Sequence, residues 1–200
     1  MSGALPTTRA PAQIQVTSWS PTFVSTAHSL KTQRRTRGGQ RWKLHCTYGT
    51  MERATYLDLW GFLNAQRGQY GTFTITLPTG IWPLGTGWGT PLVNGALAAG
   101  ASSVVCDGLS AGITGAGKRG DFVKFSGHSK VYQLTADFNS DGGGNGTFSI
   151  MPNLVTSVAD NESITVSAVP FTVRLAGDEQ PLDLQVPSQG VLSFDAIEDY

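Results

Sequence analysis

Hydrophobic and polar residues alternate with period two over several short stretches, the pattern of a strand with one buried face. Arg41–Tyr48 is the clearest, with Trp42, Leu44 and Cys46 on one side and Lys43, His45 and Thr47 on the other. Residues 70–77 repeat it with Phe73, Ile75 and Leu77 inward, and Pro78 ends the run because proline has no N–H for a ladder. Between these two stretches the period changes. Tyr56, Leu59, Trp60 and Leu63 recur at three- and four-residue spacing, which predicts a helix over 50–67 with one apolar stripe. Thr50 is placed to cap its N-terminus, Glu52 suits the positive end of its dipole, and Arg67-Gly68 makes a stop. The expected role of this helix is to cover a sheet. Residues 1–18 read as a loose arm with an edge strand at Gln13–Val16. Ser29–Arg37 is polar throughout, and Gly38-Gly39 predicts a hairpin joining that run to 41–48.

Residues 79–91 are so dense in glycine and proline that no regular element is expected there, and a boundary is placed in them. Beyond it, short apolar runs alternate with glycine turns: Ser103–Cys106, Asp121–Phe125, Lys130–Thr135, Gly146–Ile150 and Ser163–Ser167. Their spacing predicts a small all-β module over 91–168, a barrel or sandwich. Longer strands then return at Pro170–Leu175, Leu182–Val186 and Val191–Phe194. The organisation expected is a domain formed by 1–90 and 169–200, with the 91–168 module inserted at an exposed loop.

Charge changes this picture more than composition does. The 14 Lys and Arg balance the 14 Asp and Glu, yet the signs are segregated. Residues 1–90 hold nine basic and two acidic residues, 91–130 hold four and two, and 131–200 hold one and ten. Opposed patches of this kind point to interaction surfaces. The densest is Lys31, Arg34, Arg35, Arg37, Arg41 and Lys43, six cations in thirteen residues. With 40% apolar residues and only 14% charged, the chain is not expected to be disordered. No run of 18 apolar residues is present, so no membrane partner is expected, and the first ten residues lack the apolar stretch of a signal peptide.

Candidate chemistry is sparse. Asp137-Phe-Asn-Ser-Asp-Gly142 matches the first half of a calcium loop, but Phe148 stands where the bidentate glutamate is needed, and a glycine-rich turn explains the same residues. His28, His45 and His128 have no metal-ligand spacing, and Cys46 and Cys106 read as small buried hydrophobes. Gly142–Gly146 has no helix behind it to hold a phosphate. No cofactor, metal or catalytic residue is expected, and the chain does not read as an enzyme.

Several segments together resemble the distal tail proteins of tailed bacteriophages. They are Gly38-Gly-Gln-Arg-Trp-Lys-Leu44, Met51-Glu-Arg-Ala54, Leu59-Trp-Gly-Phe-Leu-Asn-Ala-Gln-Arg-Gly68 and Tyr70–Pro78. Gly120–Phe125, Lys130–Asp137, Gly146–Leu154, Phe171–Leu175 and Ser193–Glu198 fit the same pattern, so the resemblance covers most of residues 30–200. It implies a mainly β fold: a β-sandwich ring domain with one helix and a hairpin, plus the inserted β-module. It further implies a tail-tip or baseplate subunit of the virion, made in the host cytoplasm. Such a subunit self-associates into a ring, commonly hexameric, joining the tail-tube protein to the hub and fibre proteins. The family brings no catalytic residues. The positions expected to make subunit or partner contacts are Arg34, Arg35, Arg37, Arg41, Trp42 and Trp60. No specific nucleic acid is expected as a partner, although the genome passes through such a ring.

Two other readings compete. The 91–168 module could bind a saccharide or a fibre, which exposed Trp82, Trp88 and Tyr132 would favour. The basic run 31–43 could bind nucleic-acid phosphate, with the steep salt dependence that counterion release brings.

Overall fold

The structure is a computed structural model, and it describes residues 3–78, 82–185 and 189–200. It is mainly β, with a single α-helix among the described residues. The chain falls into two compact units, one of 1–74 with 173–199 and one of 75–172 with Tyr200.

The first unit begins with strands β1 (Gln13–Trp19), β2 (Thr22–Thr26), β3 (Thr32–Thr36), β4 (Arg41–Thr47) and β5 (Met51–Glu52). Helix α1 (Arg53–Ala65) and strand β6 (Thr72–Thr76) follow. The intervening strands β7 (Leu92–Val93), β8 (Ser103–Asp107), β9 (Phe122–Phe125), β10 (Tyr132–Leu134), β11 (Gly146–Met151) and β12 (Ile164–Thr165) belong to the second unit. Strands β13 (Pro170–Leu175), β14 (Asp183–Gln185), β15 (Gln189–Val191) and β16 (Ser193–Glu198) complete the chain.

The main sheet of the first unit runs β1-β4-β16-β13-β6. Its pattern is the one the sequence predicts for β4: Trp42, Leu44 and Cys46 are buried while Lys43 and His45 are exposed. Phe194 and Ala196 on β16 and Val173 and Leu175 on β13 line the same interior. Helix α1 covers it, burying Tyr56, Leu59 and Leu63, with Phe62 edge-on to Phe73 at 5.4 Å. Burial, and to a lesser degree the nearby Asp195 carboxylate, pushes the Cys46 thiol up to about 12, so it stays protonated among these apolar neighbours. The β6 edge is covered by the segment before β1, which bridges it at Ala4 and Thr74.

Two local expectations are corrected here. Gly38-Gly39 does not close a hairpin between β3 and β4. Instead β4 pairs with β1, matching Trp19 to Arg41, and with β16 on its other side. The reason is burial: β3 is exposed along its whole length and offers β4 no interior to share, whereas β16 does. The two glycines, with φ of 70° and 69°, turn the chain out of one ribbon and into the sheet. The cap of α1 is also not Thr50. Glu52 occupies the N-cap in extended conformation and makes no side-chain cap bond, because residues 51–52 pair as β5 with β15. The helix stop is as expected, with Arg67 and Gly68 both left-handed. The strand expected at Leu182–Val186 is present as β14, and Val186 lies outside the described residues, as do Thr79, Gly80 and Ile81.

The sheet of the second unit runs β12-β9-β10-β11-β8-β7. Its two ends meet: Ile164 N–H donates to the Pro91 carbonyl at 3.0 Å, and Val93 N–H to that of Glu162 at 2.9 Å. The six strands therefore form a nearly closed barrel, which removes the free edges of an open sheet. Its core contains Val93, Val104, Cys106, Phe125, Leu134, Phe148 and Ile150. Trp88 and Tyr132 are in this core too, so they are not the exposed aromatics that a saccharide platform would need. The glycine- and proline-rich segment before β7 is held by one buried carboxylate. Asp121 accepts hydrogen bonds from Leu84 N–H (2.8 Å), Gly85 N–H (3.2 Å), Lys118 N–H (2.9 Å) and the Trp88 indole (3.2 Å).

Candidate subunit interface

Strands β2 and β3 form a two-stranded ribbon with Phe23 opposite Arg35 and Val24 opposite Arg34. Its turn runs from Ala27 to Lys31, where Ala27 N–H donates to the Lys31 carbonyl and Leu30 takes a φ of 60°. All ten strand residues are exposed, so none of the described residues covers either face. Phe23 and Val24 keep 52% and 56% of their surface in water. A lone two-stranded ribbon is marginal by itself, and apolar residues on both of its faces are anomalous unless something covers them.

The charge of the ribbon is equally unbalanced. The first acidic residue of the chain is Glu52, so no carboxylate lies in or before the hairpin. Among the described residues, Arg34, Arg35 and Arg37 make no ion pair. They line a shallow groove of about 590 Å³ with Phe23, Gln33 and Thr36. The groove thus presents guanidinium forks beside an exposed ring, a combination enriched at protein interfaces and suited to carboxylates.

The other three expected contact residues lie elsewhere. Arg41 is on β4, donates to the Glu198 carbonyl at 3.2 Å and sits 3.8 Å from Asp199. Trp42 is in the interior of the main sheet, and its N–H donates to the Glu198 carboxylate at 3.2 Å. Trp60 is half-buried on α1 and donates its indole N–H to the Gln180 carbonyl at 3.0 Å. The structure therefore brings together Arg34, Arg35 and Arg37, and adds Phe23 and Val24. No periodicity marked those two, because a ribbon exposed on both sides has no inward face to impose one.

The carboxylates singled out in the sequence have local partners. The Asp141 carboxylate accepts from Gly143 N–H and Asn145 N–H, both at 2.8 Å, and from the Asn145 amide. Those bonds hold its carboxyl below the usual range, the Asn145 backbone N–H most strongly. Asp137 accepts from Arg119 N–H at 2.8 Å and pairs with Lys118 at 2.9 Å, and it too is lowered, first by the Arg119 backbone and then by Lys118. These oxygens stitch loops of the barrel. Among the described residues no group of three or more His, Cys, Asp or Glu is arranged to hold a metal ion.

The described residues thus combine a nearly closed small barrel with a basic ribbon that none of them covers. Residues 83–169 match the family model of the distal tail protein pb9, B domain. That segment, most of the second unit, is thus similar to a domain of a bacteriophage distal tail protein, which supports a structural role in a phage tail. No curated protein matches the chain.

Proposed function

We propose that this chain is a phage distal tail protein and the repeating subunit of a six-copy ring that joins the tail tube to the hub and receptor-binding fibres. The ring-forming part is the domain of residues 1–90 and 169–200, and the 91–168 module is the part left to face other tail components. The chain acts by binding and not by catalysis, as a baseplate component made in the host cytoplasm and used in host attachment. One observation carries this reading: the β2–β3 ribbon exposes Phe23 and Val24 on opposite faces and carries three arginines without an acidic partner among the described residues. Burial against a neighbouring subunit relieves both anomalies, and a hairpin reaching out of each subunit generates the head-to-tail contacts that close a ring.

The mass of the native assembly tests this. Light scattering together with negative-stain microscopy of the full chain is expected to give a closed multimer with a central channel. A monomer at high concentration and low salt, and no ring of this chain in assembled tails, would overturn it. Retention of DNA by the monomer at low salt would transfer the ribbon to the nucleic-acid reading.

A further inference from the structure

We infer that the β2–β3 ribbon of one copy docks on the open β14 edge of a second copy, its arginines meeting Glu179 and Asp183. The inference rests on the ring reading above and names the receiving surface. Three observations converge on that surface.

First, β14 is the end strand of the small sheet β14-β15-β5, with β15 on one side and no strand on the other among the described residues. All three of its residues are exposed, and Leu184 keeps 67% of its surface in water. The ribbon has unpaired edges of its own, since among the described residues β2 and β3 form a sheet only with each other. Two short open edges can satisfy their backbone donors and acceptors by adding strand to strand.

Second, the register of this sheet places its acids outward. Glu52 lies opposite Gln189, and Gln189 opposite Gln185, so Asp183 two residues away shares their face. The opposite face, with Met51 and Gly190, turns toward α1, where a side chain at Gly190 would meet the Tyr56 ring at 2.7 Å. Glu179 stands in the segment leading to β14. That segment is pinned on both sides of it, by Gln69 N–H to the Asp178 carboxylate at 3.2 Å and by the Trp60 indole to the Gln180 carbonyl.

Third, the charges are complementary and otherwise unspent. Glu52, Glu179 and Asp183 have no ion pair among the described residues, and neither do Arg34, Arg35 and Arg37. Laying β3 along β14 sets guanidinium forks across from carboxylates, a favourable cross-strand pairing. The occupant is a second copy, because the two surfaces are opposite in charge and each has an open strand edge.

The test uses the full chain in two charge-reversed forms, Arg34→Glu with Arg35→Glu and Glu179→Lys with Asp183→Lys. All four positions are exposed, and circular dichroism checks that both forms fold. Each form alone is expected to lose the multimer, with the native mass falling to that of a monomer. An equimolar mixture is expected to recover it, because each reversed ribbon then meets a reversed edge. Alternation of the two forms closes only rings of even number. If the Glu179→Lys, Asp183→Lys form assembles like the wild type while the ribbon form does not, the receiving edge is wrong and the ring reading stands. If both forms fail and the mixture stays monomeric, the two surfaces do not meet. If the wild type itself never assembles, the ring reading falls and this inference falls with it.

Discussion

At the scale of single residues, the barrel depends on carboxylates that gather backbone donors. Asp121 is the buried case, taking three N–H donors from a segment with no regular structure of its own and a fourth from Lys118. Asp121→Ala leaves these donors with no acceptor in a low-dielectric site. The expected loss of stability is about 3 kcal/mol or more, read by denaturant unfolding, with Asp121→Asn losing less because one acceptor oxygen remains. Asp137 and Asp141 are the exposed cases. Their carboxyl groups titrate below the ordinary range in the folded chain, so their contribution is fully present above that range. It is lost as pH falls through the lowered folded-state values. The thermal midpoint of the wild type is expected to fall in that acidic window. The Asp137→Asn, Asp141→Asn variant is expected to show a flatter profile there. The sequence presents these two aspartates as half of a calcium loop. The same oxygen-rich, glycine-bounded composition suits a turn in which backbone N–H groups replace the cation, and spacing alone does not separate the two.

At the scale of elements, legibility followed burial. Strands with one wet and one dry face carry the period-two pattern, so β4, β6, β8 and β11 stand close to where the alternation places them. Strands without that contrast were silent: β2 is exposed throughout, and β5 and β7 are two residues long. Partner choice was less visible than strand identity. Gly38-Gly39 has the composition of a hairpin turn, but β4 finds its sheet partners in β1 and in β16, the latter roughly 150 residues away. In the candidate interface the run of arginines was evident from the sequence. Trp42 could be read as a contact residue or as part of a buried face, and the structure puts it on the buried face. The receiving acids gave no signal, since Glu179 and Asp183 look like ordinary turn residues until β14 is seen to have a free side. The ribbon interrupts two strands that are already paired, Trp19 to Arg41. Replacing residues 21–39 by Asn-Gly therefore joins β1 to β4 through a four-residue loop while keeping the Gln40 to Ser18 bond. The shortened chain is expected to keep the wild-type circular dichroism spectrum and a thermal midpoint within a few degrees, and to remain monomeric.

At the scale of the whole molecule, zero net charge is the sum of opposed regions. Near-neutral subunits pack in many copies without a large mutual repulsion, while local surpluses supply direction. An interface made by exposed arginines and carboxylates is screened by salt over a Debye length of about 8 Å at physiological strength and about 3 Å at 1 M. The assembled mass is accordingly expected to decline as sodium chloride rises toward 1 M, with monomer appearing first at low protein concentration. An interface held chiefly by apolar burial would keep its mass or gain it over the same range, and sedimentation at several salt concentrations distinguishes the two.

The closure of the barrel has a consequence for how such a molecule can multiply. A sheet whose ends are bonded to each other has no valence left, and a second barrel has nowhere to continue it. The other unit is unsaturated among the described residues: no strand pairs with the outer side of β14 or with either side of the ribbon. Strand-to-strand growth is thereby confined to one half of the chain, which leaves the other half free to vary its loops without risk of polymerising. In polymer terms the subunit is difunctional through one unit and capped through the other, the condition under which copies link in single file and a ring, not a network, is the closed product.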